Sequence, residues 1–151
     1  AALNPQASDC VLDVGTGSGY QAAVLARLAH EVVSVEWIPE LATRARATFD
    51  ALGVHNVRIV TGDGGLGFSG EKYEGILVSA GAPAVPPRLR DQLTDGGRLV
   101  IPVGTPIHQE LVVVYRVGSR FHEVHGEACI FVPLRGAFGW GGLGTDETIG
   151  S

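Results

Sequence analysis

Gly15-Thr16-Gly17-Ser18-Gly19 stands between the apolar run Cys10–Val14 and the alanine- and leucine-rich stretch Tyr20–Ala29. Glycines in that place let the backbone turn sharply and approach a ligand closely, and a following helix offers unpaired N–H groups. Two carboxylates occupy corresponding places further on. Glu36 closes the apolar run Val32–Glu36, and Asp63 follows the run Val57–Thr61 within Gly62-Asp63-Gly64-Gly65. In an open α/β sheet, ligands bind beyond the carboxyl ends of the strands. A carboxylate at Glu36 can accept both hydroxyls of a ribose. Asp63 can accept from an adenine amino group, with Gly64 letting the backbone come near, and Trp37 and Ile38 can pack against the base. Each feature also has a plainer reading. Glu36 is an acid near a helix start, where anions are favoured, Asp63-Gly64 is an ordinary turn pair, and Trp37 is a surface tryptophan.

The loop discriminates among nucleotides. The dinucleotide fingerprint GxGxxG needs glycine at position 20, which is Tyr20, and the phosphate-binding lysine of a P-loop is missing. The nucleophile elbow GxSxG needs glycines where Thr16 and Tyr20 stand. What remains, GxGxG preceded by Asp13, resembles the first motif of S-adenosylmethionine-dependent methyltransferases. That resemblance implies that Gly15, Thr16, Gly17, Ser18 and Gly19 surround the methionine end of the cofactor and that Asp13 helps to place its ammonium group.

The elements that must position these residues alternate between strand and helix. Strands are expected at Cys10–Val14, Val32–Glu36, Val57–Thr61, Tyr73–Ser79 and Arg98–Val103. Helices are expected at Tyr20–Ala29, from Pro39 to about Leu52 with Gly53 as its stop, and at Arg88–Leu93. Asp95-Gly96-Gly97 reads as a turn. The alternation predicts an α/β fold, a Rossmann-like doubly wound and mostly parallel sheet. Gln109–Val117 follows Arg98–Val103 after too few residues for a crossover helix, so these strands are expected to be antiparallel. Phe121–Val132 supplies a last strand, bulged near Gly126. Residues 1–140 form the expected single domain, and 141–151 a Gly-rich mobile tail.

The 151 residues suffice for one domain, and the balance of 45% hydrophobic and 18% charged residues is that of a globular protein. Net charge is −5, with 11 Lys+Arg against 16 Asp+Glu, so no basic footprint for nucleic acid stands out. No apolar run approaches the ~20 residues of a membrane span, and the first residues carry no leader pattern. Cys10 and Cys129 read as buried thiols in a reducing cytoplasm, with a disulfide between them as the lesser alternative. His122 and His125 fall on a predicted strand at a spacing that turns them to opposite faces, which argues against a metal site. The chain contains no methionine, even at position 1, and is read as lacking a natural start.

Several segments go further. VLDVGTGSGYQAAVLA (11–26), IPELA (38–42), GDGGLG (62–67), AGAP (80–83), QLTDGGRLVIPVG (92–104), QEL (109–111), FVPL (131–134) and Gly139-Trp140 occur in that order. Across Ala7–Trp140 they resemble the protein-L-isoaspartate O-methyltransferase family. The AGAP loop, the proline within VIPVG and the FVPL end are the most particular of these. The resemblance implies a class I methyltransferase fold, S-adenosyl-L-methionine as cofactor, and isoaspartyl proteins or peptides as substrates. It implies a protein-repair reaction by a cytoplasmic monomer that engages neither nucleic acid nor membrane. The acceptor is expected beside Ser79, Ala80, Gly81, Ala82 and Val132. The rival readings are a methyltransferase acting on a small molecule or RNA, and a non-catalytic cofactor-binding fragment.

The chain departs from the family in three ways. Trp37 stands where a basic residue is usual, and Gly81 where alanine is common. The family's upstream Thr-Ile-Ser-Gln-Pro stretch, which covers the substrate, has no counterpart in these residues. No catalytic residue is therefore assigned, and the chain as it stands is expected to bind cofactor yet transfer methyl groups poorly.

Overall fold

Short runs rich in valine, isoleucine and leucine make the strands, and three alanine- or proline-led segments make the helices. The computed structural model describes residues 3–17, 19–68 and 70–140. Ser18 and the segment 141–151, expected to be a mobile tail, lie outside the described residues. The strands are β1 (Cys10–Val14), β2 (Glu31–Glu36), β3 (Val57–Thr61), β4 (Tyr73–Val78), β5 (Leu93–Thr105), β6 (His108–Val117) and β7 (Arg120–Cys129). The helices are α1 (Tyr20–Leu28), α2 (Pro39–Leu52) and α3 (Pro87–Asp91), with a 3-10 turn at Gly64–Leu66.

All seven strands join one sheet in the order β3-β2-β1-β4-β5-β6-β7. The first five are parallel. β5, β6 and β7 are successively antiparallel. The expected hairpin is present: Thr105 pairs with His108, leaving only Pro106 and Ile107 to turn the chain.

Alternation along the strands divides the core into two layers. Val11 and Val32 face one side, where α1 packs Ala22, Leu25 and Ala26 and α2 packs Ala42, Ala45 and Phe49. Leu12 and Val33 face the other, with Tyr73, Ile76, Leu89 of α3, Leu93, Leu99 and Ile101. The helical positions follow the three- and four-residue spacing of a helix face. α2 begins with Pro39 in its first turn and ends at Gly53, whose φ of 70° is the left-handed stop that glycine adopts without strain.

The structure differs from expectation at three places in the second half, first at α3, which ends at Asp91 where the helix was expected to reach Leu93, itself the first residue of β5. Asp95-Gly96-Gly97 does not precede β5 but loops out of it. Tyr73 pairs with Leu93 and Gly75 with Arg98, so a single residue of β4 faces four of β5. Gly96 has φ 84°, and a side chain on Gly97 would press on the carbonyls of Tyr73 and Glu74. Packing of Leu93 into the core is what extends the strand across this irregularity; the glycine-rich sequence alone suggested a break. β7 ends at Cys129 rather than Val132, because the chain leaves the sheet to cross the ends of the parallel strands. Its bulge falls where expected. Glu110 pairs with Ala128 and Val112 with His125, so Leu111 faces both Gly126 and Glu127. β7 is an exposed edge along nearly its whole length.

No helix among the described residues is long and apolar enough to cross a membrane.

Candidate cofactor and acceptor site

Strand order reverses direction at β1, which has β2 on one side and β4 on the other. The loops after these strands therefore separate and leave a crevice at their carboxyl ends, as open α/β sheets do. A cavity of about 760 Å³ lies there, within the ~300–1,000 Å³ of small-molecule sites.

One wall is the glycine loop. Gly15 and Gly17 have φ of 94° and 54°, and a Cβ on either would meet nothing. Their lack of side chains is thus a matter of conformation and of open approach from the cavity, not of packing. Gly19 differs: its φ is 89° and a Cβ there would crowd Phe49 and Ala45 of α2. Beneath the loop runs a buried polar chain. Ser34 Oγ donates to Asp13 Oδ2 at 2.8 Å, so its oxygen is left to accept from Thr16 Oγ1. Asp13 is fully buried, and its Oδ1 has no partner. Burial pushes its carboxyl up to about 7; the Ser34 hydrogen bond opposes this and nearby Glu36 adds to it.

The second wall follows β2. Glu36 is 6% exposed, and its two oxygens accept from the N–H of Gly17 and of Ile38, each at 2.9 Å. A carboxylate has about four lone-pair sites, so two remain for hydroxyl donors. Trp37, Ile38 and Leu41 continue this wall, and Tyr20 and Gln21 line it from α1.

The third wall was largely missed in the sequence. Phe131 to Arg135 form a strap along the cavity, beside Ser79 and Ala80. The strap pairs with the loop after β4: Gly81 N–H donates to the Val132 carbonyl at 2.7 Å, and Leu134 N–H to the Gly81 carbonyl at 2.8 Å. Among the described residues lining the cavity, Arg135 is the one cationic residue. The FVPL segment is the available signal, and the family resemblance puts only Val132 of it beside the acceptor.

Of the expected cofactor residues, Gly15, Thr16, Gly17, Glu36, Trp37, Ile38 and Gly64 line this cavity. Of the expected acceptor residues, Ser79, Ala80 and Val132 do. Ser18 lies outside the described residues, and the others serve the cavity from behind. Asp13 and Gly19 support the glycine loop. Gly81 and Ala82 are buried in backbone pairing, Ala82 donating to the Pro102 carbonyl at 3.0 Å. Asp63 accepts from Gly65 N–H at 3.0 Å and from Ala137 N–H at 2.9 Å, which ties the end of the strap to the turn after β3. Gly64 is fixed by packing, since a side chain there would overlap Val14.

Elsewhere, Cys10, Glu31 and Glu71 bring ligand-type atoms within 4.8 Å of one another at the opposite ends of the strands. Burial, then Glu31, push the Cys10 thiol up to about 11, so it stays protonated at neutral pH. Glu71 is already paired with Arg58 at 2.9 Å. His122 and His125 are exposed, and His125 contacts Glu110 and Glu123.

Sheet order, glycine loop and strand-end carboxylate together define the class I methyltransferase fold. A solved methyltransferase from Thiobacillus denitrificans, described as S-adenosylmethionine-dependent and in complex with S-adenosyl-L-homocysteine, superposes with a TM-score of 0.58 at 25% identity over 71% of this chain and 46% of that one. A solved protein-L-isoaspartate O-methyltransferase superposes with a TM-score of 0.82 at 29% identity, over 89% of this chain and 44% of that one. The family model for protein-L-isoaspartate(D-aspartate) O-methyltransferase matches residues 2–138, and the chain belongs to that family. The protein-L-isoaspartate O-methyltransferase of Methanoregula boonei is 49% identical over 139 residues, 91% of this chain and 64% of that protein. That of Syntrophus aciditrophicus is 48% identical over 145 residues, 93% of this chain and 66% of that protein. The chain thus spans somewhat less than two thirds of the length of such relatives.

Proposed function

We propose that this chain carries the cofactor site and part of the acceptor site of an enzyme that methylates the free carboxylate of isoaspartyl residues in damaged proteins and peptides. The observation that carries the reading is the single cavity bounded on one side by Gly15–Gly17 and Glu36 and on the other by Ser79, Ala80 and the Phe131–Arg135 strap. Donor and acceptor can meet only where two such walls share one space.

S-adenosyl-L-methionine fits the residues present. The open faces of Gly15 and Gly17 suit its methionine end, and the unpartnered Asp13 Oδ1 is an acceptor suited to a nearby ammonium group. The spare lone pairs of Glu36 suit the ribose hydroxyls, with Trp37, Ile38 and Gly64 beside the adenine. Asp63, held by Ala137, would act on that side through its remaining lone pairs. When bound, the cofactor supplies an electrophilic methyl group. The chain's own residues hold the two partners in line and keep water from between them. An unperturbed carboxylic acid has a pKa near ~4, so the acceptor is already ionised at neutral pH and needs no general base.

Arg135 would steer the anionic acceptor toward the Ser79–Ala80 end. In this reading the partners are isoaspartyl proteins and peptides, met by a monomer in the cytoplasm. The excess of acidic over basic residues, net −5, supports protein rather than nucleic-acid acceptors. The test is transfer of a labelled methyl group to an isoaspartyl peptide, with the aspartyl isomer as control. Slow transfer to the isoaspartyl isomer alone is expected, and equal labelling of both would overturn the substrate assignment.

A further inference from the structure

Gln109 is wholly buried at the start of β6, an uncommon place for an amide side chain. Its polar atoms are spent on backbone. Nε2 donates to the carbonyl of Thr105 at 3.2 Å and to that of Phe131 at 3.3 Å, while Oε1 accepts the Phe131 N–H at 2.8 Å. Both polar backbone atoms of Phe131 are therefore held by one side chain, at the point where the chain leaves β7 and becomes the cavity wall. Two glycines make room for it. A side chain on Gly81 would overlap the amide group, and one on Gly104 would overlap the backbone of His108 and Gln109.

The strap has further tethers, Gly81 to Val132 and Leu134, and Asp63 to Ala137. Among the described residues, only Gln109 grips it upstream of Val132. Val132 is 70% exposed and has little packing of its own to hold it, while Phe131 is 37% exposed.

We infer that Gln109 is a positioning residue for the acceptor: its amide clamps Phe131 so that the Val132 side of the strap stands opposite the glycine loop. This rests on the proposed acceptor role of the strap. The clamp is asymmetric in its chemistry. It requires one acceptor facing an N–H and a donor facing two carbonyls, which an amide supplies and an ionised carboxylate does not.

Two variants test it. Gln109→Ala removes the clamp, and Gln109→Glu keeps its size. Amide hydrogen exchange at Phe131 and cofactor affinity report on the clamp and the cofactor wall without any turnover. In Gln109→Ala, exchange at Phe131 should accelerate and cofactor affinity should stay within about twofold. Peptide kcat/KM should fall about ten- to hundredfold, the scale of a small misplacement of reacting groups. Gln109→Glu should recover activity as pH falls, because the protonated acid again presents a donor and an acceptor, whereas wild type shows no such gain. Unchanged Phe131 exchange in both variants would overturn the clamp. Faster exchange with unchanged peptide kinetics, or an equal loss of cofactor and peptide binding, would overturn its positioning role. Where wild type transfers too slowly to isoaspartyl peptides for kinetics, exchange at Phe131 decides whether the clamp exists.

Discussion

Glu36 Oε1 accepts the backbone N–H of Gly17 at 2.9 Å, joining the end of β2 to the turn that follows β1. The bond fixes the glycine loop against the neighbouring strand end and sets the carboxylate at the cavity wall.

Replacing Glu36 by alanine leaves the Gly17 and Ile38 N–H groups without their acceptor and removes the proposed ribose contact. Cofactor affinity should drop by about 1–3 kcal/mol, the cost of unpaired polar groups. Titration calorimetry with S-adenosyl-L-homocysteine measures it, and an unchanged constant would remove Glu36 from the site. Tight binding of a nicotinamide dinucleotide to wild type would overturn the choice of cofactor.

Asp13 sets a pH dependence. Its folded carboxyl, raised to about 7 from 3.8, binds a proton more tightly than the unfolded chain does. Its contribution to stability is full below 3.8 and is lost as pH rises to about 7. Melting temperature should therefore fall between pH 5 and pH 8 by more in wild type than in Asp13→Asn. Parallel curves for the two proteins would contradict this. Cofactor affinity should move the opposite way in wild type, rising over that range, if an ammonium group binds near the ionised carboxylate.

Gly64→Ala should destabilise the fold by about 1–3 kcal/mol, the usual penalty of overpacking, because the new methyl overlaps Val14. Val14→Ala in the same chain should recover part of that loss. Chemical denaturation of the two single variants and the double variant would show this as non-additivity, and strictly additive losses would mean that Gly64 does not press on Val14.

Arg135→Ala should raise KM for isoaspartyl peptide about two- to fivefold with kcat little changed, in line with ~0.5–1 kcal/mol for an exposed ion pair. Salt should narrow the gap between variant and wild type. A gap that persists at high salt would point to packing rather than charge.

The sequence disclosed the strand-and-turn half of the site better than the half made by long-range return of the chain. Gly15, Gly17 and Glu36 announce themselves because each follows a recognisable apolar strand, and the sheet then brings the strand ends together. The β5–β6 hairpin was legible for a similar reason: two residues cannot carry a crossover. Phe131, Pro133, Leu134 and Arg135 were not legible, since nothing local says that chain leaving β7 will lie across the ends of β1 and β4. Gln109 was recognisable as part of a family segment but not as a clamp, because its partners, Thr105 and Phe131, lie on either side of it in the chain. Asp63 was legible as a strand-end acid, yet its bond to Ala137 depends on a turn 74 residues away.

The two-for-one pairing of Leu111 with Gly126 and Glu127 bears on how these molecules behave in a crowd. β7 ends the sheet, and a bare edge invites a strand from another molecule. An incoming strand would need a matching extra residue to follow this edge past the bulge, and it would meet His122, Glu123, His125 and Glu127 along the way. The irregularity costs the sheet some regular bonding at its margin and in return discourages the molecules from knitting together edge to edge.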